Sequence, residues 1–475
     1  MNGCIVKSGK VCLSGPYRRP GEGGRLLLRE CRTEGTILIV TMWIMVVLAG
    51  LVLVLARSMR VEGVCAANTA ASQQASAIEQ GAIQYVLANV DGLEGRMPSE
   101  DDMPCQGVQV GDGAFWIIRP NHEDDSECLY GVVDEASRVN LNSATAETLL
   151  KLPDMTNELA AAIVDWRDED SEPTPEGAET EHYLLLANPY ECKNAPLETV
   201  EELLLLNGSS REIVFGEDVN RNGTLDENEN DADKSEPPDD NDGILNRGIY
   251  DFVTVYSTEP NTTAAGSQRL DVNQASRQAL SEVLEKSVSH NRLSDVLSLA
   301  QRERPFQNVL DFYFRTGLTV EEFAAIADEI TTGNQENLTG LININTAPKE
   351  VLLTLPGLEE ADVSAMMAMR SVDETDLNSI AWVAKALTRE KAVGIGAHIT
   401  ARSFQFSADI VSISGDGRAF RRCRIVVDAR QSPPQIIYRQ DLTRLGWPLS
   451  PEIIDQLRSG THMDQVIENF YKEIY

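Results

Sequence analysis

Twelve residues in the middle of the chain carry the clearest chemistry. Asp218 to Glu229 reads Asp-Val-Asn-Arg-Asn-Gly-Thr-Leu-Asp-Glu-Asn-Glu. Side-chain oxygens fall at the first, third, fifth and ninth positions (Asp218, Asn220, Asn222, Asp226), and Glu229 closes the series with a carboxylate that can bind through both oxygens. Gly223 permits the sharp turn, and the Thr224 carbonyl supplies the seventh position. A hard cation of calcium's size takes about six to eight oxygen ligands, and this spacing is that of a calcium loop. Calcium is therefore the expected cofactor. Glu217, Glu227, Asp231, Asp233, Glu236, Asp239, Asp240 and Asp242 crowd the same stretch with Arg221 and Lys234 as counterions. Such a segment repels itself until a cation orders it. An imperfect second copy spans Asp240 to Asn246; it offers Asp240 and Asp242 as ligands but has Pro238 where the first belongs, so Asp231 or Asp233 would substitute. The flanks read as helix before (197–207) and strand after (250–256), unlike a two-helix EF-hand.

Other chemistries lack their signatures. There is no nucleophile elbow, Walker loop, HExxH or dinucleotide fingerprint, and the five histidines are scattered, so the sequence predicts no enzyme. No CxxC pair suggests zinc. With 41 Lys+Arg against 74 Asp+Glu and a formal charge of −33, a sequence-independent grip on nucleic-acid phosphate is not expected. Cys105 and Cys128 flank the apolar stretch 114–118; in an exported domain they are either bridged or buried as free thiols.

The elements that must hold this loop begin with a membrane segment. Thr36 to Ala56 contains no charged residue and is long enough to cross about 30 Å of hydrocarbon. Lys7, Lys10, Arg18, Arg19, Arg25, Arg29 and Arg32 precede it, which predicts a cytoplasmic N-terminus and an exported remainder. No Pro interrupts residues 57–89, and Ile78, Ala82, Tyr85 and Val86 share one helical face, so one helix is expected over 36–89. Further on, residues 139–167 and 342–370 align without a gap. Val139-Asn140-Leu141-Asn142-Ser143-Ala144 matches Ile342-Asn343-Ile344-Asn345-Thr346-Ala347, Leu149 to Pro153 matches Leu352 to Pro356, and Arg167 matches Arg370. A partial third copy begins at Leu270. These read as degenerate helix-hairpin-helix units: a strand-like lead-in, a helix capped by Asn142 or Ser143, a Pro-containing turn, and a second helix over 157–167. Their turns, Pro153-Asp154-Met155-Thr156 and Pro356-Gly357-Leu358-Glu359-Glu360, place carboxylates where a phosphate would sit, so they are expected to pack helices rather than grip DNA. Alternating residues at 404–411 and 422–428 around Gly415-Asp416-Gly417 predict a hairpin, joined by strands near 115–118 and 129–133.

Gly35-Thr36-Ile37-Leu38-Ile39-Val40-Thr41-Met42-Trp43, behind its basic leader, resembles a type IV prepilin processing region, in which a dedicated peptidase cuts after the Gly. Thr36 would open the mature chain, and its fifth residue, Val40, stands where most pilins carry Glu. Lack of that Glu, duplicated elements in a helical insert and a calcium-binding region together resemble the K-type minor pseudopilins of type II secretion. The resemblance implies an α+β fold: a long N-terminal transmembrane helix and a pilin-like β-sheet head with a large, mostly α-helical insertion. It divides the chain into a leader (1–35), the helix (36–89), the first part of the head (90–138), the insertion (139–398, with the acidic region at 217–246) and the closing hairpin and tail (399–475). It also implies the inner membrane with a single span, a periplasmic main domain, I-type and J-type minor pseudopilins as partners, prepilin peptidase as processing enzyme, and no nucleic acid. The alternative is a membrane-tethered helix-hairpin-helix DNA receptor of a competence-type system, which the charge disfavours.

Overall fold

From Glu34 to Val90 the backbone is one uninterrupted α-helix, α1, with no Pro to break its hydrogen-bond ladder. The computed structural model describes residues 34–471, less 233, 235, 236, 240, 373 and 374. The leader expected over 1–35 lies outside the described residues except for its last two. The chain divides into two compact units, 1–66 and 67–475.

In the first unit the described residues are all α1. From Ile37 onward this helix is apolar and long enough to cross a membrane, and Leu38, Trp43 and Leu53 stand about two-thirds exposed. Hydrocarbon is the solvent that makes such a surface favourable, because the helix satisfies its own backbone groups.

In the second unit α1 buries a stripe. Ile78, Ala82, Ile83, Val86 and Val90 pack against one face of an antiparallel sheet. Its strands are β1 (Val108–Val110), β2 (Gly113–Arg119), β3 (Leu129–Tyr130), β4 (Val133–Asp134), β5 (Gln405–Ile413), β6 (Phe420–Asp428) and β7 (Gln435–Asp441). The order is β1-β2-β5-β6-β7, with β3 beside β2 and β4 beside β5. Alternation sorts the faces. Phe115, Ile117, Phe406, Ala408, Ile410, Ile425 and Val427 meet α1, whereas Ala114, Trp116, Ile118, Val411 and Ile413 meet the C-terminal helices Pro451–Arg458 and Met463–Tyr471. Each large side chain so buried stabilises the fold by about 1.5–3 kcal/mol relative to exposure.

Cys105 lies in the apolar layer under α1 and Cys128 packs against the layer on the opposite face, and both are free thiols. Of the two alternatives the structure shows the free thiols, on opposite faces of the sheet.

Between β4 and β5 runs the insertion, and it contains three related units. Each opens with a two-residue strand that pairs in parallel with a strand closing the same unit: Val139–Asn140 with Val253–Thr254, Leu270–Asp271 with Ile330–Thr331, and Ile342–Asn343 with Ile399–Thr400. In each, the first Asn or Asp folds back on the amide two residues ahead: Asn140 to Asn142 N–H (2.8 Å), Asp271 to Asn273 N–H (2.9 Å), Asn343 to Asn345 N–H (3.0 Å). The next Asn then reaches a distant backbone, Asn142 bonding both ways to Leu197, Asn273 both ways to Phe306, and Asn345 donating to the Leu377 carbonyl. Helices Ala146–Leu149 and Asn157–Arg167 follow in the first unit, Arg277–Leu284 and His290–Arg302 in the second, Lys349–Leu353 and Glu360–Arg370 in the third. Arg167 caps its unit by donating to the Leu141 and Ala144 carbonyls, as Arg370 does to Ile344 and Ala347. The expected cap at Asn142 or Ser143 is corrected to Thr145, whose hydroxyl accepts from Thr148 N–H at 3.2 Å; Asn142 is occupied with Leu197.

Candidate metal centre

The loop 218–229 sits in the first unit of the insertion; it follows helix Arg211–Phe215 and ends in the 3-10 turn Glu227–Glu229. Its turn is built from its own side chains. Asp218 Oδ1 accepts from Asn222 N–H at 3.0 Å and Oδ2 from Gly223 N–H at 2.9 Å, while Asn222 Oδ1 accepts from Thr224 N–H at 2.8 Å. Asp226 Oδ2 receives the amides of Asn220 (2.5 Å) and Asn222 (3.2 Å). Gly223 adopts φ +72°, and a Cβ there would lie 2.8 Å from Pro120 Cα, so both conformation and space require Gly.

Burial sets the electrostatics. Asp218 is 5% exposed and Glu229 1%. Glu229 Oε2 accepts from Asp226 N–H at 3.1 Å, but its Oε1 is buried without a hydrogen-bond partner. Burial, then the Asp251 charge, pushes the Asp218 carboxyl up to about 7; burial, then the Asp218 charge, pushes Glu229 up to about 8. Two carboxylates pressed together in a desolvated place want either protons or a cation. The donor set fits the second: Asp218, Asn220, Asn222, Asp226 and Glu229 with the Thr224 carbonyl would hold a calcium ion, with oxygen ligands throughout.

Sequence reasoning missed what holds the loop in place. Arg422 on β6 is fully buried and donates to the carbonyls of Asn220 and Arg221 (2.6 Å each) while paired with Asp409 of β5 at 2.6 Å. Arg247 donates to the Gly223 carbonyl at 2.9 Å and pairs with Asp125 at 2.6 Å; Asp125 in turn receives Leu225 N–H on its carbonyl at 2.8 Å. Arg221 lies over the rings of Phe215 (4.1 Å) and Tyr250 (4.7 Å) and pairs with Glu201 at 3.1 Å. The loop is thus docked on the head sheet through arginines that no local spacing reveals.

The weaker candidates fare differently. Asp240 lies outside the described residues. Asp242 is exposed and accepts from Ile244 N–H at 2.8 Å, and Asp239 is the residue that gathers Asp231, Ala232 and Asn241 amides. Gly35 and Thr36 fall in the first turn of α1, and Val40 is exposed.

Residues 130–215 match the family model described as type II secretion system (T2SS), protein K. None of the curated proteins matches the chain. Among solved structures, a chain of the GspK-GspI-GspJ complex from the enterotoxigenic Escherichia coli type 2 secretion system is similar at 12% identity and a TM-score of 0.36, over 78% of this chain and 96% of that one.

Proposed function

We infer that this chain, a minor pseudopilin of the type II secretion protein K kind by its match over residues 130–215, serves at the tip of the pseudopilus and helps to start the filament that drives protein export across the outer membrane. The observation that carries the placement is Val40 in an otherwise uncharged stretch of α1. A carboxylate in lipid is costly without a partner, and in the pilin arrangement the fifth mature residue takes the terminal amine of the subunit above. A first subunit has none above it, and Val suits that place.

Thr36 is proposed as the mature N-terminus after prepilin peptidase removes the leader, with the anchor in the inner membrane and the head in the periplasm. I-type and J-type minor pseudopilins are the proposed partners, calcium orders the loop at 218–229, and the protein is neither a catalyst nor a DNA binder. The insertion is read as degenerate helix-hairpin-helix units turned to packing. Mass spectrometry of the N-terminus, from cells that make the peptidase, tests the core of this reading. Thr36 is the expected first residue; Met1 intact in assembled filaments overturns it.

A further inference from the structure

Beyond the loop, a second group of carboxylates is held in a way their surroundings do not account for. Asp168, the residue that ends helix Asn157–Arg167, Asp170 just after it, and Glu179, which precedes the short helix Thr180–Tyr183, bring one oxygen each within 4.8 Å of one another. Glu179 is 4% exposed, and neither of its oxygens meets a donor at bonding geometry; Asp168 Oδ1 is likewise buried without a partner. Burial pushes both carboxyls up; the Asp170 and Asp165 charges add to it at Asp168, and the Asp165 and Asp168 charges at Glu179.

The Arg167 charge bears on Asp168, but burial and the neighbouring carboxylates outweigh it. Among the described residues none of the three is in an ion pair; Arg167 donates to the Leu141 and Ala144 carbonyls, and Lys193 pairs with Glu202 at 2.9 Å. The thiol of Cys192, beside Glu179, points its proton at the Asp165 carbonyl (3.7 Å). Asp165 accepts from Thr174 N–H at 3.2 Å and bears on the cluster through its charge. Thr174 Oγ1, in the segment between Asp170 and Glu179, and Asn194 Oδ1 are also buried and unpartnered. Asn194 is fixed beside Asp170 through its amide, which donates to the Asp170 carbonyl. Orphaned buried oxygens are rare in native proteins and ask for an unseen water or ion.

We propose that Asp168, Asp170 and Glu179 bind a second calcium ion, sharing no ligand with the loop at 218–229. Three carboxylates, with no imidazole or thiolate among them, suit a hard divalent cation rather than zinc. The position adds to this, because Asp168 and its neighbours lie at the C-terminal end of an eleven-residue helix, where the backbone dipole favours positive charge. Bound there, the ion ties the end of that helix to the start of the next and so closes the turn at 168–179.

The full chain in detergent, stripped of metal, is dialysed against radioactive calcium. Wild type should bind two ions per chain. Asp168→Asn with Glu179→Gln should remove one, and Asp218→Ala with Glu229→Ala the other. A single ion that vanishes with Asp168→Asn and Glu179→Gln would sink the loop assignment while supporting this site. Undiminished calcium in that variant, or a single wild-type ion lost with the loop variant, overturns the proposal. Trp166, two residues from Asp168, gives a measurement that spares the ligands. In the loop variant, terbium luminescence excited through tryptophan should fall several-fold on Trp166→Phe at unchanged calcium stoichiometry. Unchanged emission counts against the site.

Discussion

Asp134 shows how one side chain can join the head to its insertion. It ends β4, is 2% exposed, and accepts from Ser403 Oγ (2.6 Å), Thr346 Oγ1 (2.7 Å), Asn343 Nδ2 (2.8 Å) and Ala136 N–H (2.8 Å). Three of those donors belong to the third unit or its exit, so this carboxyl fastens that unit to the sheet. Burial nonetheless outweighs the four donors and lifts the group to about 6, from an ordinary value near 3.8. The folded state therefore holds the proton more tightly than the unfolded chain. The resulting stabilisation is fully present below about pH 3.8 and is lost as pH rises through about 6, a span of about 3 kcal/mol for a shift of about two units. Asp134→Asn keeps the shape and cannot titrate. Denaturant unfolding of both proteins should show wild type losing up to about 3 kcal/mol relative to the variant between pH 4 and 6.5. A difference that stays level across that range would mean the carboxyl is ionised throughout.

At the scale of elements, the loop 218–229, proposed to hold calcium, is a short segment whose order depends on what it is fastened to. Its carbonyls are held from one side by Arg422 and Arg247, while its buried carboxylates press on one another from the other. A cation that binds only the folded loop stabilises it by about 2.7 kcal/mol at a calcium concentration a hundredfold above Kd. Asp218→Ala with Glu229→Ala should remove that share of the calcium-dependent gain in unfolding free energy, and Asp168→Asn with Glu179→Gln the remainder; a gain untouched by the first pair would reject the ligands named for the loop. The proposed ligands could be named from the sequence because they lie within twelve consecutive residues at a spacing that suits calcium. Arg422 was not, because its partners at 220 and 221 are brought to it only by the fold. The repeats divide in the same way. Units one and three could be aligned because both keep Asn-x-Asn and an Arg that ends the second helix, Arg167 or Arg370. The middle unit keeps Asp271 and Asn273, but its arginine is Arg304, which reaches the Ala275 carbonyl (2.8 Å) from beyond the helix His290–Arg302. The substitution preserves the contact and hides the pattern. Helix 157–167 and the head strands lie where the pattern put them, whereas the state of Cys105 and Cys128 stayed open because spacing in sequence does not tell on which face of a sheet a thiol falls.

For the whole molecule, two solvents meet in one helix. The apolar residues of α1 from Ile37 to Leu55 are exposed to whatever surrounds them, while those from Ile78 to Val90 are spent on the sheet. Every residue of the cluster under α1 belongs to the unit 67–475. That unit therefore contains its own core, and the part before it is proposed to supply affinity for lipid rather than stability to the head. An acidic surface should keep the unit in solution once the lipid-seeking segment is gone, since like charges oppose association. A chain beginning at Ala67 is expected to express as a soluble monomer with the same calcium response and a cooperative unfolding transition, while the full chain needs detergent. Analytical ultracentrifugation without detergent, with circular dichroism on the same sample, makes the comparison. Aggregation or loss of the transition in the shorter chain would show that residues before 67 complete the head, and the division of labour along α1 would then be wrong.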